Sequence, residues 1–293
     1  MAKMTIMAKT GQHSYPFTAY FAVALAAIVA GLLIQHWDNT GRTLVDTDDA
    51  MRLAQMRDWL AGQGWFDLQQ KRMALPYESH WSRLVDAGLA ALLSFFKIFA
   101  GQELSERLLR VIWPLLFIAP ALCGVCAIAW RLAGREAALL TLLFAVAGVP
   151  AYQQFSPGRV DHHNVQIAVT ILTLAATVWS DRVRWCAIAA GVLTGFGLAI
   201  GFEGLPYLAA CGAAFALRYI FDPQSADALR RYGCSLAVSV IVAFLVSVGS
   251  AHWTRSLCDN LAFNSTAAMV AGATVLAIIP SLPSERIFIR AGA

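Results

Sequence analysis

Apolar residues in this chain gather in long blocks parted by short polar breaks, instead of alternating as they do in elements that keep one face in water. The first block is Pro16–Ile34. After a long polar stretch the blocks resume at Val111–Trp130, Ala137–Tyr152, Val165–Ser180, Trp185–Phe202, Leu205–Phe221, Ser235–Ala251 and Ala267–Leu282. A helix needs about 20 residues to cross a bilayer, so the shorter blocks extend into their flanks. The pattern predicts an all-α membrane protein whose one large non-membrane segment is the stretch 36–108.

Within that stretch, Ala87–Phe96 is apolar but bounded by Asp86 and Lys97, and as a helix it would reach only ~15 Å. Loop charges decide whether it crosses. If it does not, the arginines fall in loops on one side: Arg131–Arg135, Asp181–Arg184, Arg218–Arg231 and a tail with Arg286 and Arg290. The opposite loops after residue 150 then hold only Arg159 and Arg255. The positive-inside rule selects this arrangement: about eight transmembrane helices, both termini cytoplasmic, and residues 87–96 as an interfacial or re-entrant helix. Lys3 and Lys9 precede the first block and no small-residue cleavage site follows it, which predicts an uncleaved span. The domains are thus residues 1–35, an external loop 36–108, a seven-helix bundle 109–283 and a cytoplasmic tail 284–293. In the loop, Met51, Leu53, Met56, Trp59 and Leu60 recur at helical spacing, predicting a helix over Asp48–Gly62 with Asp49 as its cap.

Composition agrees. The 293 residues are 58% hydrophobic and 14% charged, against roughly 25% charged in soluble domains. The net charge of +4 comes from Lys and Arg in short loops, which suits topology control and excludes a nucleic-acid surface. Cys123-Gly-Val-Cys126 has metal or redox spacing, but it lies mid-block without a second pair and reads as small residues between packed helices.

The predicted orientation puts two polar clusters on the non-cytoplasmic side. In Asp161-His162-His163, an extended backbone would aim Asp161 and His163 at one ion, and a carboxylate with an imidazole suits Mn²⁺, Mg²⁺ or Zn²⁺. A solvated loop accounts for the same residues. Asn164 stands where a protein acyltransferase would carry cysteine. Asp46, Asp48 and Asp49 repel one another unless water or a cation intervenes, and a solvated helix start explains them as well. Glu203, in a short turn between blocks, faces either a cavity or headgroup water, and the second reading is favoured. Arg83 and Arg159 are phosphate-contact candidates or interfacial anchors, and His36-Trp37 and His80-Trp81 read as belt residues.

Four stretches together resemble the catalytic subunit of oligosaccharyltransferase, a member of the GT-C superfamily of membrane glycosyltransferases, and its archaeal branch above all. They are the acidic opening Asp46–Arg52, the aromatic and acidic spacing of Trp59–Asp67, the run His80–Leu92, and Ile112–Asn164 with its Gly158-Arg159-Val160-Asp161-His162-His163. The resemblance spans about residues 17 to 210. It implies a GT-C-like fold and a divalent metal, Mn²⁺ or Mg²⁺, on Asp161, His163 and a first-loop aspartate. Asp48 is the first choice for that catalytic aspartate, with Asp46 and Asp49 as alternatives, and Arg159, Arg83 and His162 lie toward substrate. It further implies a polyprenyl-(di)phosphate-linked saccharide donor, a protein or glycolipid acceptor, and an active site facing the periplasm or exterior from the plasma (inner) membrane. Family members continue through more spans and a soluble domain. This chain ends at Ala293 without a Trp-Trp-Asp motif, so a shorter relative or an inactive piece of such an enzyme is also expected. The competing class is a transporter or lipid-binding membrane protein, disfavoured because the blocks hold almost no ionisable residues.

Overall fold

The computed structural model describes residues 16–41, 44–73, 75 and 77–282. Lys3, Lys9 and the predicted tail 284–293 lie outside the described residues. The fold is all-α apart from a two-residue hairpin, β1 (Gln69–Gln70) against β2 (Tyr77–Glu78), paired antiparallel with Gln70 opposite Tyr77.

The helices are α1 (Phe17–Gln35), α2 (Thr47–Leu60), α3 (Arg83–Lys97), α4 (Gln102–Leu116), α5 (Ile118–Ala147), α6 (His163–Trp179), α7 (Arg184–Ile200), α8 (Leu205–Phe221), α9 (Ala226–Ser247) and α10 (Phe263–Ile278). Among the described residues, four helical stretches are long and apolar enough to cross a membrane: Phe17–Gln35, Gln102–Ala147, Pro223–Ser247 and Phe263–Ser281. Helices α6, α7 and α8 are apolar too, but at 17 residues each they extend only ~26 Å.

The long stretch Gln102–Ala147 is not one rod. At Gly134 the backbone takes φ 83° and ψ −172°, a region open chiefly to glycine, inside the arginine-bearing break Arg131–Arg135. Ile118 and Ala145 would be about 40 Å apart along a straight helix. Instead both line one 270 Å³ cavity with Ile28 and Val125, so the chain doubles back at Gly134. A second break falls at Phe117, three residues before Pro120, which has no N–H to donate to the Leu116 carbonyl. Helix α4 runs from Gln102 across the expected boundary at 108–109 and buries Ser105, Leu109 and Trp113.

Helix α3 extends the predicted apolar patch to 15 residues and buries only one face, with Val85, Leu89, Ala90 and Leu93 inward. It is not among the helices of crossing length and apolarity. That face joins Leu53 and Met56 of α2, Trp113 of α4, Val165 of α6 and Ile200 of α7 in one core, fixing the loop helices to the end of the bundle. A second core joins α1, α5 and α6, and a third joins α7 to α10. Packing in the third core rests on glycine. A Cβ added at Gly191 of α7 would stand 2.6 Å from the Tyr232 carbonyl oxygen of α9, and one at Gly233 would stand 2.6 Å from that of Ala273 in α10. Lipid gives apolar helices no hydrophobic drive to associate, so close approach over small residues supplies the contact.

Candidate metal centre

The site starts with the first turn of α2. Its N-cap is Asp46, not Asp49 as the spacing predicts: Asp46 Oδ1 accepts from the backbone N–H groups of Asp48 (3.0 Å) and Asp49 (3.1 Å). Asp49 takes the reciprocal position, its Oδ2 accepting from the N–H of Asp46 at 3.3 Å. Its Oδ1 accepts from the N–H groups of Val160 (2.8 Å) and Asp161 (3.0 Å). One buried carboxylate thus closes a helix end and clamps a loop more than a hundred residues later. Arg159 completes the clamp, donating to Asp49 at 3.0 Å, to Asp46, and to Gln154 Oε1. Burial pushes the Asp49 carboxyl up to about 6, against the pull of Arg159 and of the two N–H groups.

The clamped segment is no solvated loop. Residues 155 to 162 are all buried. Gly158 allows the turn with φ 95°, its N–H donating to the Arg110 carbonyl oxygen at 2.9 Å. The extended geometry expected for Asp161-His162-His163 is also corrected: His162 lies in the right-handed helical region and His163 opens α6. Asp161 and His163 meet across a helix start instead, Asp161 Oδ2 lying 3.4 Å from His163 Nε2.

Between them the two oxygens of Asp161 have different surroundings. Oδ1 faces His162 Nδ1 at 2.6 Å and Arg52 Nη2 at 3.6 Å. Oδ2 is buried with no hydrogen-bond partner among the described residues. Burial alone would raise the Asp161 pKa, but the hydrogen bond from His162 and the charges of His162 and Arg52 hold it well below the carboxylate range. His162 is fixed at both nitrogens, Nδ1 by Asp161 and Nε2 by Glu203 Oε1 at 3.2 Å. Burial would lower its pKa, and the two carboxylates raise it instead. Glu203 itself is held down to about 2, first by His162 and then by Gln166, against burial. So Glu203 does not sit in headgroup water alone: it is half-exposed but tied to His162 and to Gln166 Nε2 at 2.8 Å.

Asp161, His162 and His163 form a group whose potential donor atoms lie within 4.8 Å of one another. An unpartnered buried oxygen facing an imidazole nitrogen fits a divalent cation. Two neighbouring ligands of one ion, each about 2.0–2.2 Å from it, lie roughly 3 Å apart. With both its nitrogens engaged, His162 serves as the support that orients Asp161.

The remaining predicted residues divide. Asp48 is half-buried and stands outside the close group, on the helix face it shares with Arg52 and Gln55 at i+4 and i+7. Among the described residues its carboxylate has no hydrogen bond or ion pair. Arg83 is not offered to a phosphate: it is 1% exposed and donates to the Gln55 and Asp67 carbonyls, Gln63 Oε1 and Asp86 Oδ2. Arg159, committed to Asp46, Asp49 and Gln154, is a clamp as well.

Sequence reasoning missed the support beneath the group. Arg52 is fully buried, reaches Asp86 Oδ1 at 3.3 Å, and lies 4.3 Å from the centroid of the Trp81 ring. Asp86 also accepts from Gln55 (2.8 Å) and Arg83 (3.1 Å). The available signal was Asp49, Arg52 and Met56 at helical spacing, which sets an arginine beside the apolar stripe of α2. No protein-family model matches the chain, and comparison with curated proteins and with solved structures finds no match.

Proposed function

We propose that the chain is a metal-dependent, GT-C-like membrane glycosyltransferase that uses a polyprenyl-(di)phosphate-linked saccharide on the non-cytoplasmic side of the membrane. The observation that carries this reading is the buried, unpartnered Asp161 Oδ2 facing His163 Nε2, in a segment clamped to the first-loop helix by Asp49. The four crossing-length stretches support a membrane setting, and the hairpin at Gly134 supports the finer reading of about eight spans.

In this proposal Asp161 and His163 hold a divalent cation, Mn²⁺ or Mg²⁺. When bound, such a cation neutralises charge on a departing phosphate. His162, braced by Glu203, keeps Asp161 in the orientation that leaves Oδ2 free. Asp48, half-buried and without a partner among the described residues, is the group able to accept a hydrogen bond from an incoming acceptor nucleophile. The acceptor is a protein or a glycolipid.

The test is transfer from a short polyprenyl-diphosphate saccharide to peptide or glycolipid acceptors by the purified chain in proteoliposomes with Mn²⁺ or Mg²⁺. Asp161→Ala and Asp48→Ala abolish transfer while membrane insertion is kept. Undiminished turnover in both variants sinks the proposal. Single-cysteine labelling checks the spans: Arg182 and Arg230 positions react from the cytoplasmic side, and Arg255 from the other.

A further inference from the structure

A compartment with mixed polar and apolar walls lies near the candidate metal centre. A cavity of 220 Å³ is bounded on one side by the hairpin end, through Glu78, Ser79 and His80, and on the other by the α9–α10 connection, through Ser247, Asp259 and Asn260. Its walls are cross-tied: Glu78 pairs with His252 Nδ1 at 3.1 Å and with Arg255 Nη1 at 3.1 Å. A smaller cavity of 40 Å³ shares His80, Ser247 and Asn260 with it and is also lined by Trp81 and Glu203. The compartment thus adjoins a cavity lined by the carboxylate that braces His162.

Its chemistry is particular. Ser247 Oγ and Asn260 Oδ1, common to both spaces, are buried without a hydrogen-bond partner among the described residues. Asp259 carries no ion pair among the described residues, while Phe66 and Leu68 give an apolar wall. Hydroxyl, amide and carboxylate acceptors beside an apolar and aromatic surface suit a ligand with hydroxyl groups around its edge and C–H faces. The volume is below the ~300–1,000 Å³ of sites for drug-sized ligands, which limits the occupant to about one ring. A phosphate is disfavoured, because Arg255, the cation on this wall, is already paired with Glu78.

We infer that this compartment, between the β1–β2 hairpin and the α9–α10 connection, binds a single pyranose ring. The inference rests on the proposed glycosyltransferase reading and adds where its sugar sits. The ring belongs either to the lipid-linked donor or to a saccharide acceptor, and both present the same hydroxylated chemistry.

Saturation-transfer NMR on the full chain in nanodiscs, with methyl glycosides of glucose, galactose, mannose and N-acetylglucosamine as probes, tests it. At least one glycoside gives transfer from the wild type, and the signal falls five-fold or more in both Asn260→Leu and Asp259→Ala. Mn²⁺ binding, read by electron paramagnetic resonance on the same samples, stays unchanged in both variants and reports that they are folded. In Asp161→Ala the pattern reverses, with Mn²⁺ lost and the glycoside kept. Transfer from none of the four glycosides, or a signal that survives both variants, overturns the inference while leaving the metal reading intact. Glycoside binding by a wild type that binds no Mn²⁺ upholds the compartment and removes the metal reading. Competition by a polyprenyl-phosphate monosaccharide, but not by bare polyprenyl phosphate, assigns the ring to the donor; no competition by either assigns it to the acceptor.

Discussion

Asp86 offers the most severe test of how the site is held. It lies at the start of α3 with no exposure and takes hydrogen bonds from Arg52, Arg83 and Gln55. The buried charges around it balance as two guanidiniums, Arg52 and Arg83, against two carboxylates, Asp86 and Asp161. Asp86→Asn keeps the shape and removes one negative charge, leaving a net positive charge buried away from the surface. Breaking a buried pair from one side costs about 3–5 kcal/mol. At about 2–4 °C per kcal/mol, the midpoint of thermal unfolding falls by roughly 6–20 °C. The assay is a melt of the purified protein in a mild detergent, alongside Asp58→Asn as a surface control. Asp58 pairs with Arg72 in water-exposed positions, where such a bridge contributes about 0–1 kcal/mol. Because Arg52 also braces Asp161, Asp86→Asn weakens Mn²⁺ binding, whereas Asp58→Asn does not. Equal melting shifts in the two variants would refute the reasoning, since they would show that burial at Asp86 adds nothing to the pair.

Other consequences follow from the same geometry. His163→Ala removes one of the two proposed metal ligands and lowers Mn²⁺ affinity, and His162→Ala, a support, lowers it by about 10–100-fold, both read by titration of the paramagnetic signal. Asp49→Ala costs about 2–4 kcal/mol, because the N–H groups of Val160 and Asp161 lose their acceptor, whereas Asp46→Ala costs about 0.5–2 kcal/mol; chemical unfolding that ranked them the other way would contradict the clamp. The Glu203 pKa is depressed on folding from 4.5 to about 2, so its contribution is present above pH 4.5 and fades as pH falls toward 2. Glu203→Gln should therefore lose less stability than the parent over that window in acid melts, and parallel curves would remove the His162 contact as the cause. Gly191→Ala forces α7 from α9 at the Tyr232 carbonyl and costs about 1–3 kcal/mol, measurable as earlier unfolding in SDS titration.

By itself the sequence determined what depends on near neighbours along the chain. Hydropathy marks where backbone groups must bond internally, so the apolar blocks emerge as helices. The arginine-bearing break at 131–135 holds the Gly134 reversal, and the acidic start of α2 is a cap within three residues of the expected position. The motif Asp161-His162-His163 was legible as a metal candidate from residue types alone. Tertiary structure decided which polar atoms are left over. Arg159 and Arg83 look alike on paper as free cations, and only packing against Asp49 and Asp86 shows that both are spent. Asp161 could be called half-satisfied only after Arg52, 109 positions earlier, had come to its Oδ1 and Glu203 had fixed His162. The reason is one of range: helix hydrogen bonds close over four residues, whereas a buried charge is balanced by whichever groups the packed helices bring within a few ångströms.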